Sequence, residues 1–160
     1  MASNVKSAPG VGVAVVVWQS DTRTHLLLGL GHSEENRDQI YAMTGGHWES
    51  GESLEEAAQR EVYEEAGLQI RDLSFISVQD FFNPEKMKSY VTLGFEAISV
   101  GGDPKVMEPT KKVNWKWVTP SEALTRPLFL PDRTLIERTQ SGVVYEGTRS
   151  TLRQRFRVQS

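Results

Sequence analysis

The chain has 160 residues, a formal net charge of −3 and no cysteine, with 38% hydrophobic and 24% charged side chains. That size and balance fit one globular domain rather than a disordered chain. Disulfide frameworks, thiolate zinc sites and thiol nucleophiles are excluded, a net negative charge argues against a nucleic-acid polymer as partner, and no apolar run approaches the roughly 18 residues of a membrane helix. The first ten residues carry no basic start with an apolar stretch behind it, so the expected location is cytoplasmic.

Residues 1–10 are small and polar and read as a flexible N-terminus. Val11–Trp18, rich in β-branched residues, reads as a buried strand, and after the turn Asp21–Thr24 the stretch His25–Leu30 reads as its neighbour. Gly31–Gln39 is a polar loop, and Ile40–Met43 is a short extended piece leading to a tight bend at Gly45-Gly46. Ser53 followed by Glu56 forms a capping box that starts a helix, and Gly67 stops it. Leu73–Gln79 and Ser89–Val100 read as strands joined by the turn Asn83-Pro84-Glu85. Gly101–Thr110 is a loop, Asn114–Val118 a strand, Pro120 opens a short helix, and Asp132–Gln140 is a last helix ending at Gly142. This order implies a mixed, layered α/β domain.

Seven of the 21 acidic residues fall within Glu49–Leu68. On a helix, Glu61, Glu64 and Glu65 share a face about 100° wide. Leu54 and Ala57 lie on that face and Ala58, Val62 and Ala66 flank it, so the carboxylates sit on the side that packs inward. Like charges at this spacing repel, and burial raises that cost. A hard divalent cation with oxygen ligands relieves both, although an acidic solvated face is the common alternative for three such glutamates. Arg60 is one turn from both Glu56 and Glu64 and able to hold a carboxylate.

Gly46, five residues, Glu52, seven residues, then Arg60-Glu61-Val62-Tyr63-Glu64-Glu65-Ala66-Gly67-Leu68 resembles the Nudix box of the Nudix hydrolases, with every defined position occupied. The resemblance runs from Val11 to Gly142. It implies the family's fold, a mixed β-sheet layered between helices in an α/β/α sandwich, together with a loop–helix–loop metal site and hydrolysis of a diphosphate linkage. Gly45-Gly46-His47-Trp48-Glu49, Met107-Glu108-Pro109-Thr110-Lys111 before Trp115-Lys116-Trp117-Val118, and Pro127-Leu128-Phe129 are similar to segments of the MutT-related nucleoside-triphosphate diphosphatases. Thr44 where the family usually has proline, and Leu130 in place of a second pocket aromatic, depart from that pattern.

The function implied is Mg²⁺-dependent cleavage of a (deoxy)nucleoside triphosphate to monophosphate and pyrophosphate, with Mn²⁺ as a possible substitute. Gly46, Glu61, Glu64, Glu65 and Glu108 are the implied metal ligands, and Glu61, Glu64, Glu65, Arg60 and Glu108 the catalytic set. Gly45, Gly46, His47, Thr92 and Phe129 are the implied substrate contacts. Glu52 reads as a brace for Arg60; Trp48, Phe81, Phe82 and Phe129 are candidate stacking walls, and Trp115 and Trp117 read as packing residues. The rivals are hydrolysis of another diphosphate ester, such as a prenyl diphosphate or nucleoside diphosphate sugar, and a non-enzymatic ligand sensor. Retention of all three box glutamates favours catalysis.

Residues 143–160 form a basic tail in which Arg149, Arg153, Arg155 and Arg157 outnumber Glu146. In an extended tail the last three arginines share one face and Leu152, Phe156 and Val158 the other, so the expectation is an arm across a homodimer partner.

Overall fold

The computed structural model describes residues 8–31, 40–83 and 86–145. Ten elements follow in chain order: β1 (Gly10–Trp18), β2 (Leu26–Gly31), β3 (Tyr41–Ala42), β4 (Thr44–His47), α1 (Leu54–Ala66), β5 (Ile70–Asn83), β6 (Lys88–Ser99), β7 (Lys112–Val118), α2 (Pro120–Leu124) and α3 (Leu130–Ser141). They form one seven-stranded sheet in the order β3-β2-β1-β6-β5, with β4 on β1 and β7 on β2. β1 and β6 run parallel while the other pairings are antiparallel, so the sheet is mixed.

The pleat of β1 separates two cores. Val13, Val15 and Val17 point to the face covered by α1, with Ala57, Ala58, Val62, Ala66, Phe95 and Trp115. Ala14, Val16 and Trp18 point to the other, with Ala123 of α2 and Leu135 and Ile136 of α3. The strand therefore reads as a continuous apolar run because both faces are covered. Each fully buried Val or Leu contributes about 1.5–3 kcal/mol relative to exposure. The result is the expected α/β/α sandwich. Among the described residues no helix is long and apolar enough to cross a membrane.

β1 meets β2 only at Trp18 and Leu26. Beyond that point the two strands part, β1 taking β4 as its neighbour and β2 taking β3 and β7. This parting places β4 against α1.

Several local expectations change. Gly45 and Gly46 do not bend the chain: they lie within β4, paired with Ala14 and Val13. Their value is close approach, since a Cβ on Gly45 would stand 2.4 Å from the Val13 carbonyl oxygen. β5 runs well past Leu73–Gln79 because Phe81, Phe82 and Asn83 pair with Tyr90, Ser89 and Lys88, which puts Asn83 in the strand rather than the turn. α3 starts at Leu130 rather than Asp132, Pro131 being tolerated where the first-turn N–H groups have no helical partner. Gly31 belongs to β2, and β7 begins two residues before the expected Asn114.

The caps of α1 form as expected: Ser53 and Glu56 exchange the two capping-box bonds, and Gly67 adopts a left-handed φ of 66°. Glu56 is thereby committed to the cap and not to Arg60. Residues 1–7, 32–39, Pro84-Glu85 and 146–160 lie outside the described residues. Most of the expected loop after the second strand and of the arginine tail falls there.

Candidate active site

α1 buries Ala57, Ala58, Glu61, Val62, Glu65 and Ala66, a stripe that repeats every four residues and carries two glutamates. Glu61 and Glu65 are only 6% and 4% exposed. Glu64 stands at the edge of this stripe with its side chain half-exposed, so the three carboxylates split into a buried pair and a rim residue. β4 lies directly over the pair. A Cβ at Gly46 would fall 2.2 Å from Glu61 Oε1, and the Gly45 N–H donates to Glu65 Oε2 at 3.3 Å. Glycine at 46 is what allows a carboxylate to reach the strand.

Arg60 ties the cluster together. Its Nε and Nη2 donate to both oxygens of Glu52 at 2.9 and 2.7 Å, its Nη1 reaches Glu61 at 2.8 Å and Glu64 at 3.2 Å, and Nη2 also donates to the His47 carbonyl. These carboxylates, Glu52 first, hold the guanidinium further toward its charged form. Glu52 thus braces Arg60, as its spacing suggested. Among the described residues no cation hydrogen-bonds the Glu65 side chain. Burial pushes its carboxyl up to about 7, the neighbouring Glu61 charge adds to the rise, and Lys112 and the Gly45 N–H oppose it.

The loop after β6 closes the end of α1. The Glu65 carbonyl accepts from Met107 N at 3.3 Å and from Trp115 Nε1 at 3.1 Å, and Lys105 N donates to the Ala66 carbonyl. These bonds satisfy carbonyls that the helix leaves without partners. They also bring Glu108 to the region, where Oε1 pairs with Lys111 at 2.9 Å and Oε2 is buried with no hydrogen-bond partner among the described residues.

Beside β4 lies a cavity of about 380 Å³, bordered by Gly45, Gly46, His47, Tyr90, Thr92, Phe81, Phe129, Lys112 and Asp132. All five expected substrate contacts border it: Gly45, Gly46, His47, Thr92 and Phe129. Glu61, Glu64, Glu65, Arg60 and Glu108 do not; β4 stands between the buried pair and the opening. Phe81 borders the cavity and meets Phe129 edge to face at 5.7 Å, whereas Phe82 and Trp48 are about half exposed and do not border it. Trp115 is a core residue, and Trp117 packs against the same cluster.

Two polar residues on the cavity wall carry no signal in the sequence reading. Lys112 and Asp132 are 7% and 5% exposed. A strand of regular pleat would set Lys112 and Trp115 on opposite faces, three residues being an odd step. The β2–β7 register jumps from Leu30 with Asn114 to Gly31 with Lys112, leaving Val113 as an extra residue. That bulge returns Lys112 to the face of Trp115, with Nζ 5.4 Å from the ring centroid. Asp132 sits in the first turn of α3, where its Oδ2 accepts from Met43 N at 2.8 Å.

The donor set suits a hard divalent cation: two adjacent buried carboxylates that repel one another, a third at the rim, and a buried carboxylate oxygen without a partner in the facing loop. With Arg60 on Glu61 and Glu64, no three acidic or imidazole side chains among the described residues converge closely enough to enclose an ion.

The NUDIX domain family model matches residues 8–139. A NUDIX hydrolase from Nitrosomonas europaea superposes with a TM-score of 0.73 at 25% identity, covering 86% of this chain and 93% of that one. The MutT NUDIX hydrolase from Burkholderia pseudomallei does so at 0.70 and 23% identity, covering 82% and 98%. The NAD-capped RNA hydrolase NudC of Edwardsiella ictaluri is 32% identical over 84 residues, 52% of this chain and 32% of that protein, so the matched stretch spans about a third of that relative's length. The match across most of the sheet and both of its helical layers makes this chain a member of the Nudix family.

Proposed function

We propose that the protein is a Mg²⁺-dependent hydrolase that cleaves a (deoxy)nucleoside triphosphate to the monophosphate and pyrophosphate. The observation that carries this reading is the pairing of buried Glu61 and Glu65 against the glycine strand, with a cavity of about 380 Å³ beside that strand. Glu61 and Glu65 would hold the cation, with Glu64, Glu108 and the Gly46 carbonyl as further ligands. When bound, Mg²⁺ neutralises phosphate oxygens and lowers the pKa of an attacking water.

The chain's own residues do the positioning. Arg60 fixes Glu61 from one side while Glu52 fixes Arg60. The Gly45 N–H orients Glu65, and the Trp115 indole holds the backbone of the same residue. His47 and Thr92 border the cavity where the phosphates would enter, and Phe81 and Phe129 supply an aromatic wall for the organic group. A homodimer completed by the tail remains part of this reading, resting on the amphipathic pattern of residues 152–158.

The deciding experiment is a panel of nucleoside triphosphates, NADH, nucleoside diphosphate sugars and prenyl diphosphates with Mg²⁺, assayed separately for pyrophosphate and orthophosphate. Monophosphate and pyrophosphate from a nucleoside triphosphate is the expected result. Faster turnover of a prenyl diphosphate than of every nucleotide overturns it.

A further inference from the structure

Three cationic side chains act on the carboxylates around α1, and they are held very differently. Arg60 is pinned by Glu52, Glu61, Glu64 and the His47 carbonyl. Lys112 is buried against the Met43 carbonyl and the Trp115 ring. Lys111 has a side chain that is 58% exposed, and among the described residues its ammonium makes one ion pair, with Glu108 Oε1 at 2.9 Å. A compact ammonium on a flexible stem, held at one point and already in water, leaves its partner at little cost.

The backbone fixes where that pair stands. Met107 N donates to the Glu65 carbonyl and Lys105 N to the Ala66 carbonyl, so the loop is tied to the last turn of α1. The Met107 side chain packs on Gly67, where a Cβ would stand 3.4 Å from its sulfur. The following turn is closed by Lys111 N and Lys112 N, which donate to the Glu108 carbonyl at 2.9 and 3.0 Å. Glu108 and Lys111 therefore share one turn, anchored next to the backbone of Glu65. The bond to Glu108 foremost, with the charges of Glu65 and Glu61 behind it, holds the Lys111 amine above its ordinary range. Lys111 in return opposes the rise in Glu65. The lysine takes one oxygen of Glu108, and the other, Oε2, is buried with no hydrogen-bond partner among the described residues.

We propose that Lys111 is the resident counter-ion of this carboxylate cluster: its ammonium neutralises Glu108 while the site is without metal, and it gives way when a divalent cation takes that carboxylate. The two exclude one another because an ammonium and a divalent ion on the same carboxylate repel across a few ångströms. The inference rests on the metal reading above and deepens it, since a lysine outside the Nudix box then sets how tightly the site takes its cation. A lysine that only staples its own turn would change stability and leave metal affinity alone.

The test compares wild type, Lys111→Met and Lys111→Arg, with Mn²⁺ as the probe and no nucleotide present. Free Mn²⁺ is counted by electron paramagnetic resonance, and urea denaturation in EDTA checks that each variant folds; Lys111→Gln serves if the methionine variant does not. Lys111→Met is expected to bind Mn²⁺ about 3- to 10-fold more tightly than wild type at low salt, while Lys111→Arg, which keeps the charge, stays near wild type. The gap should close between 0.01 and 1 M salt, as the Debye length falls from about 30 to about 3 Å. Lys111→Met binding Mn²⁺ at wild-type affinity or more weakly overturns the inference and leaves the metal reading intact. A gap that salt does not reduce also overturns it, since a structural change and not charge would then be the cause. No Mn²⁺ binding by any of the proteins overturns the metal reading itself, and this inference with it.

Discussion

Carboxylates are buried at two places, the α1 pair Glu61 and Glu65 and Asp132 on the cavity wall, but the two are assembled differently. Glu61 and Glu65 are neighbours because a helix turns every 3.6 residues, and any chain that made this helix would bring them together. Asp132 and Lys112 come from a helix first turn and a bulged strand, and they meet at Met43, a residue 89 positions from Asp132 in sequence. The charge treatment differs as well. Arg60, itself held by Glu52, gives Glu61 a fixed partner, whereas the side chains of Glu65, Asp132 and Lys112 each make one hydrogen bond among the described residues. Burial pushes Asp132 up to about 6 and Glu65 up to about 7, with Lys112 opposing the rise in both. That lysine is the electrostatic link between the two places.

The sharpest way to break this contrast is at Glu65. Glu65→Gln keeps the size and removes the charge, and kcat should fall by at least about 10²-fold, the scale of a lost charge-stabilising group. A variant at the wild-type rate would mean that catalysis lies elsewhere, and full activity in EDTA would remove the metal from the mechanism.

The same variant should alter the pH dependence of stability. Because the folded carboxyl of Glu65 sits near 7 rather than at its usual 4.5, the metal-free protein has that contribution below about pH 4.5 and loses it as pH rises through about 7. The loss is about 3 kcal/mol at most, and Glu65→Gln escapes it. Melting curves in EDTA from pH 4.5 to 8 should show the variant gaining on wild type across that window. Mg²⁺ should restore most to wild type at the alkaline end. Parallel curves would show that burial does not perturb this carboxyl.

Gly46→Ala tests the close approach without touching a charge. The new methyl would meet Glu61 Oε1 at 2.2 Å, so the carboxylate must swing away from β4. A kcat loss of about 10- to 10²-fold is expected, with a modest drop in melting temperature. An unchanged kcat would detach Glu61 from the reaction.

Ser53→Ala removes the capping bond of α1 and should cost about 1 kcal/mol of stability, read by urea denaturation, with KM unaffected. The smallest effect is expected from Phe82→Ser, whose ring points away from the cavity, while Phe81→Ser should raise KM. Equal effects at the two positions would mean that β5 has another register in solution.

The amino-acid order alone determined the box helix, both its caps, the buried apolar strand β1 and the inward direction of Glu61 and Glu65. Each depends on neighbours within about four residues, where backbone periodicity and capping chemistry act directly. It could not show that Gly45 and Gly46 lie flat in a strand, because their role is set by Val13 and Glu61 approaching from other elements. Nor could it show that Glu64 is displaced to the rim while Arg60 also takes the buried Glu61. The cavity wall was hidden most completely. Nothing local marks Lys112, whose face is set by a one-residue bulge, and Asp132 reads only as the start of a helix until α3 docks it on Met43. A bulge and a docking contact are set by the fit of distant surfaces, and no local pattern in the chain records them.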